Sequence, residues 1–269
     1  MERICEPNLP HGRVRRAFVS ALMPESLINE LNCMGVITYK LGKSKNLSGE
    51  LAYHPDLLLN NYRTGCWICE QNAAYLPQDF HYKEMITESE GVLGDLYPYD
   101  CRFNNFRLNG RLYTGSQCDY LIKAYADYDN ISVCYTYSNY TKCSTVIVDE
   151  NSIITCDMYL AKTARSMGVN VLAIPDDEGI LLTNKSHGLI GGCAAKLDKD
   201  LLAFTGDVQA YAHGDEIIDF CNQQNVQVMS LTSDKMYDYG GILPITELVP
   251  YEEQDQQRMQ IDLFNEQNN

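Results

Sequence analysis

The chain has 269 residues, 45% of them hydrophobic, enough to bury a sizeable core, and it contains no apolar run long enough for a signal peptide or a membrane span. Lys and Arg total 21 against 36 Asp and Glu, a net charge of -15 that argues against a phosphate-binding surface and so against a nucleic-acid partner. Eleven cysteines, an odd number scattered through apparent strands and helices, suit reduced thiols packed as small hydrophobes in a cytosolic protein better than a disulfide framework.

The first elements follow a small basic cluster, Arg13, Arg15 and Arg16, which reads as a solvated entry strand. Ala17–Val19 is a strand, Pro24–Leu31 a helix and Val36–Tyr39 a second strand. Next, Asp56–Leu59 reads as a strand that turns at Tyr62–Gly65 into Cys66–Cys69, followed by a helix near Gln78–Glu88 and a strand at Val92–Leu96. Asn105–Leu108 turns at Asn109-Gly110, a strong hairpin signal, into Arg111–Thr114, then a helix near Gln117–Tyr125 and a strand at Ile131–Tyr135.

The plan then recurs more clearly. Thr145–Val148 meets Ile153-Ile154 across Glu150-Asn151-Ser152, Asp157 opens a helix closed by Gly168, and Val169–Leu172 completes the unit. Ala194–Leu197 turns at Asp198-Lys199-Asp200 into Leu201–Phe204, and a helix through Cys221 leads to Val226–Val228. The opening unit lacks a first strand, which Ile242–Val249 supplies. Repetition at this spacing is the mark of an array. Five ββαβ units arranged pseudo-symmetrically about an axis give an α/β five-bladed propeller, one domain over residues 1–250, with a polar tail at 251–269 that carries at most a short helical turn at Met259–Phe264.

In each antiparallel hairpin the start of strand one and the end of strand two lie at the same end. Residues there converge on one mouth: Asp238 and Gly240-Gly241, His54 and Asp56, Asn104, Cys143 and Asp157, Gly192 and Asp207, with His213 close behind. His54-Pro55-Asp56 reads either as a general base with its carboxylate or as a rigid strand entry. Cys143 reads either as a nucleophile activated by Lys142 or as a buried small hydrophobe. Asp157 and Asp207 reach a ligand or serve as helix caps, and His213 either joins the mouth or is a loop residue before Asp215, an N-cap for residues 216–222. Cys66-Trp67-Ile68-Cys69 has metal-pair spacing, but strand alternation points its thiols to opposite faces, so no metal and no cofactor are expected.

Over roughly residues 16–249 the chain resembles the pentein superfamily, the guanidine-modifying-enzyme fold of deiminases, dimethylarginine hydrolase and amidinotransferases. Within it, the chain resembles an uncharacterised bacterial family through His54-Pro55-Asp56-Leu57-Leu58-Leu59, Lys142-Cys143-Ser144, Asp149–Thr155, Gly188–Gly192 and Asp238–Pro244. The resemblance implies a cysteine that attacks a guanidinium carbon, a histidine as general acid and base, and carboxylates that hold the substrate's charge. Gly240-Gly241-Ile242-Leu243-Pro244-Ile245-Thr246 fits the nucleophile's frame with Pro244 at the thiol's place, and His187 stands where the family's histidine would, with Leu189 replacing its carboxylate. The resemblance also implies a carboxylate near the third unit, the place that Asp100 would fill.

These residues support three readings. One is a binder or pseudoenzyme for a small guanidinium or amine ligand, using Asp56, Asn104, Asp157, Asp207, His213 and Asp238. Another is an amidinohydrolase-like enzyme with a non-standard nucleophile, Cys143 or Cys193 or a water activated by His54, and with His187 as general acid and base. The third is a protein-binding module, like the non-catalytic pentein that keeps ribosomal subunits apart.

Overall fold

Short runs rich in Val, Ile and Leu, each cut off by Gly, Asn or Asp, are too brief for a large sheet, and the chain resolves them into several small ones. The computed structural model describes residues 1–176, 178–183 and 187–250. Strand β1 (Glu2–Ile4) precedes β2 (Arg13–Ser20), helix α1 (Glu25–Cys33) and β3 (Ile37–Leu41). A one-turn helix α2 (Pro55–Leu58) then leads into β4 (Asn60–Arg63), β5 (Cys66–Glu70) and β6 (Ile86–Ser89).

The next three units are regular. They comprise β7 (Phe106–Leu108), β8 (Arg111–Thr114), α3 (Tyr120–Tyr128) and β9 (Ser132–Tyr135); β10 (Thr145–Asp149), β11 (Ser152–Thr155), α4 (Met158–Ser166) and β12 (Asn170–Ala173); and β13 (Ala194–Asp198), β14 (Leu201–Phe204), α5 (Gly214–Gln223) and β15 (Gln227–Ser230). Strand β16 (Leu243–Leu248) closes the described chain and lies between β1 and β2.

Four sheets have an antiparallel hairpin whose second strand pairs in parallel with the strand beyond the crossover, as in β10-β11-β12 and β13-β14-β15. The first sheet, β1-β16-β2-β3, is assembled from both ends of the described chain, with Leu243 opposite Phe18 and Pro244 opposite Ala17. No sheet closes on itself among the described residues. The sheets cohere through side chains. Phe18, Trp67 and Phe80 interlock the first two, with Phe18 and Trp67 edge to face at 5.3 Å. Leu112 and Ile122 extend that core into the third sheet, Phe106 and Ile147 join the third to the fourth, Ile154 and Phe204 the fourth to the fifth, and Val19 and Ala203 the fifth to the first.

Four expectations are corrected. Residues 56–59 are not a strand: Pro55 occupies the first helical turn, the His54 carbonyl accepts the amides of Leu57 and Leu58, and the strand begins at Asn60. No helix spans residues 78–88. Ile86–Ser89 pair with Trp67–Glu70, leaving a single 3-10 turn at Lys83–Met85, and residues 92–96 form no strand because the Leu93 amide bonds the Glu70 carboxylate instead. Helix α5 starts at Gly214 with His213 at its N-cap, so Asp215 lies in the first turn. Strand β1, which pairs with β16, was not legible because three residues carry too little pattern. The expected turn at 259–264 lies outside the described residues.

Candidate functional site

The first turn of α2 and the link before β16 meet backbone to backbone: the Asp56 amide donates to the Gly240 carbonyl at 3.1 Å. Gly240 sits at φ +74°, and a Cβ there would lie 2.6 Å from the His54 Cα, so glycine is required for this approach. Asn104, just ahead of β7, fastens a third link. Its Oδ1 accepts the amides of Lys142 (2.8 Å) and Cys143 (3.1 Å), while its Nδ2 donates to the Asp56 carbonyl and lies 2.9 Å from the Cys143 sulfur. The thiol in turn donates to Asp56 Oδ2 at 3.0 Å.

Asp238 completes the cluster. Its carboxylate accepts the amides of Leu189 and Gly240, both at 2.9 Å, and its Oδ1 stands 3.7 Å from His54 Nδ1. A Cβ on Gly192 would fall 1.8 Å from that same oxygen, which is why the backbone can pass so close. Thus His54, Asp56, Asn104, Cys143 and Asp238 come together from four separate connections, and all are buried. Two of their polar atoms, His54 Nδ1 and Asp56 Oδ1, have no hydrogen-bond partner.

Burial dominates the electrostatics. It raises the Asp238 carboxyl above its ordinary range, opposed by His54 and reinforced by the negative charge of Asp56. Burial, then Asp56 and Asp238, push the Cys143 thiol far up, and Cys193 is raised in the same way by burial and Asp238. These sulfurs are thiols, not thiolates, and lack the low pKa that a nucleophile needs.

A hollow of about 140 Å³ is lined by Leu47–Leu51, Asp95, Asp100, Leu182 and Thr183, and none of the five clustered residues lines it. Glu50, Asp95 and Asp100 make it acidic, and no Lys or Arg lines it among the described residues. Asp100 accepts the Cys101 thiol at 3.0 Å and the Tyr140 hydroxyl at 2.5 Å, and Cys101 is raised by burial and by the charge of Asp100, with Asp56 adding to it. Glu50 accepts the Tyr237 hydroxyl at 2.6 Å and the Thr183 amide at 3.1 Å. Of these, sequence reasoning named only Asp100. Glu50, Asp95, Thr183 and Tyr237 belong to no repeat, and the one available signal was Gly49, whose φ of +60° turns the chain into Glu50.

The other expected residues are engaged elsewhere. Asp157 caps α4, accepting the amides of Tyr159 and Leu160 at 2.8 and 3.0 Å. Asp207 accepts the Gln209 amide at 3.0 Å and lines a separate open hollow with Glu30, Asn222 and Ser230. His213 Nδ1 meets Glu216 at 3.1 Å. His187 pairs through Nε2 with Asp176 at 2.7 Å near the surface, two residues from the Leu189 amide that holds Asp238. Pro244 is the second residue of β16 and lines a cavity of only about 10 Å³ with Lys142 and Lys196, not the acidic hollow. No group of three His, Cys, Asp or Glu side chains with metal-holding geometry occurs among the described residues.

A family model described as "Family of unknown function (DUF6873)" matches residues 18–243. Comparison with curated proteins gives no match. Among solved structures, the chain is similar to inosamine-phosphate amidinotransferase StrB1 from Streptomyces griseus (TM-score 0.55, 12% identity, 90% of this chain and 96% of that one). It is also similar to SxtG, an amidinotransferase from Microseira wollei (0.53, 11%, 82% and 89%). Agmatine deiminase from C. jejuni matches at TM-score 0.52 and 9% identity over 85% of this chain and 90% of that one. At such identities the likeness shows the fold alone, one shared with these two amidinotransferases and this deiminase.

Proposed function

From the premise that the chain belongs to the DUF6873 family of unknown function, we propose that it binds a small cation bearing a guanidinium or amine group and does so without a cysteine nucleophile. The observation that carries this is the acidic hollow of about 140 Å³, with Glu50, Asp95 and Asp100 in its wall; the charge of Asp100 and that of buried Asp56 both act on the Cys101 thiol, which links wall and cluster. Carboxylates recognise planar N–H donors through paired, charge-assisted hydrogen bonds. The volume lies below the roughly 300–1,000 Å³ of drug-sized sites, so the ligand is short. Agmatine deiminase from C. jejuni has been solved with substrate bound, and that ligand class is carried over here as part of the proposal.

On this reading the five small sheets are blades of one α/β propeller over residues 1–250, and the acidic hollow marks its mouth. His54 Nδ1 and Asp56 Oδ1 stay unpartnered in the buried cluster, and a bound cation favours ionised Asp238 through its charge. All eleven cysteines are free, which fits a reducing, cytoplasmic setting.

A thermal-shift series with guanidine, methylguanidine, agmatine and arginine tests the reading, since a ligand of the native state raises its melting temperature. A saturable rise that is lost in Asp56→Asn and Asp238→Asn, without release of ammonia, is expected. Flat curves with every probe would overturn it. One contact favours a second reading, an amidinohydrolase-like enzyme: Asp56 Oδ2 is placed to take the Cys143 proton. Ammonia release that depends on Cys143 would establish that reading instead.

A further inference from the structure

The hairpin turns lie at the far end of each strand pair from His54 and Asn104. There a hollow of about 390 Å³ is lined by Arg63, Arg107, Glu6 and Glu150, with Thr64 and the Asn109-Gly110 turn at its edge. Its lining carries both signs of charge. Arg63 Nη1 lies 2.8 Å from Asp129 Oδ1, and Arg107 Nη1 lies 3.7 Å from Asp129 Oδ2, so two guanidinium groups share a single carboxylate and one positive charge is left over. A tie between the second and third sheets would be complete with one arginine.

Both guanidinium groups are held in place. Arg107 stacks 4.9 Å over the Tyr62 ring and Arg63 5.5 Å over Tyr125, while the Tyr62 hydroxyl bonds Asp129 at 3.0 Å. Such stacking restrains the side chains before any ligand arrives, so little rotamer freedom remains to be lost on binding. In the same lining, Glu150 sits exposed in the β10–β11 turn and forms no ion pair among the described residues, and the Glu6 carboxylate meets His11 at 3.1 Å. Leu9 and Leu108 supply an apolar strip.

We propose that this hollow is a binding site for a small zwitterion, an α-amino acid whose carboxylate lies on Arg63 and Arg107, whose ammonium faces Glu150 and Glu6, and whose side chain rests on Leu9 and Leu108. A simple anion meets the two glutamates and a simple cation meets the two arginines, whereas a dipolar ligand satisfies both signs of charge with no net charge buried. The site is independent of the acidic hollow.

Isothermal titration of the full chain with glycine, L-alanine and L-leucine tests it, with acetate and methylammonium at matched ionic strength as half-ligands. At least one amino acid saturates, neither half-ligand does, and Arg107→Met and Glu150→Gln each weaken binding by about tenfold, as expected for one charge-assisted hydrogen bond. Glu150→Gln lies in an exposed turn and keeps the wild-type melting temperature, and Asp56→Asn leaves amino-acid binding unchanged. The proposal is overturned if no amino acid saturates, if acetate binds as tightly as L-alanine, or if Glu150→Gln has no effect.

Discussion

The Cys143 thiol donates to Asp56 Oδ2 at 3.0 Å inside a fully desolvated cluster, and burial with two nearby carboxylates keeps the sulfur protonated. Native protein treated with iodoacetamide at pH 7.5 is therefore labelled at exposed Cys33 and half-buried Cys66, with Cys143 modified only after unfolding. Peptide mass mapping reads this directly, and rapid native labelling of Cys143 would favour the catalytic alternative.

Affinity for a cationic probe should rise with pH. Burial lifts the Asp238 carboxyl above its ordinary value of 3.8, so the native state holds a proton there that the unfolded chain has released. Its contribution to stability consequently falls as pH climbs from about 4 through the raised native value. A bound cation favours the carboxylate and reverses that trend, so Kd drops across the same window. Titration by calorimetry at several pH values should show this slope in the wild type and a flatter one in Asp238→Asn.

Three glycines are placed to discriminate local strain from damage to the site. Gly65→Ala, at φ +71° with no neighbour within 4 Å of the added Cβ, costs only the left-handed backbone term of about 1–2 kcal/mol. Gly240→Ala adds contact with His54 at 2.6 Å to a similar φ of +74°, and Gly192→Ala drives Asp238 aside. Urea denaturation should show Gly240→Ala as the less stable of the two positive-φ variants, and probe binding should survive Gly65→Ala while failing in Gly192→Ala.

Phe18 links the first two sheets through Trp67, the chain's single tryptophan. Phe18→Ala leaves a cavity in that core and should lower stability by about 3–5 kcal/mol. The buried indole makes the measurement simple, because its fluorescence shifts to the red on unfolding.

Pro244→Cys should not create a deiminase. Residue 244 lies within β16 opposite Ala17, where its side chain faces the small cavity shared with Lys142 and Lys196 and not the acidic hollow. Ammonia release from agmatine by this variant would mean that the hollow is not the mouth.

The regular units were legible because each repeats within about forty residues, and local turn chemistry at Asn109-Gly110 and Asp198–Asp200 marks its hairpins. The second unit was misread for an equally local reason. Apolar spacing from Gln78 to Glu88 fits a helix, yet Ile86–Ser89 gain more by completing the ladder on Trp67–Glu70, a partner that periodicity does not reveal. Convergence of His54, Asp56, Asn104, Cys143 and Asp238 followed from strand polarity. The placements of Asp157 and Asp207 did not, since residues at equivalent strand ends can turn to cap a helix or a loop.

The sequence by itself determined the repeat, the position of most strands and which links would meet, because these depend on local pattern and chain direction. Only the tertiary structure decided that Glu50 and Asp95 join Asp100 in an acidic wall, that Pro244 faces away from it, and that the cysteines near it stay protonated. Those outcomes depend on which side chains lose water together, and desolvation is a property of the assembled neighbourhood that no single stretch of chain carries.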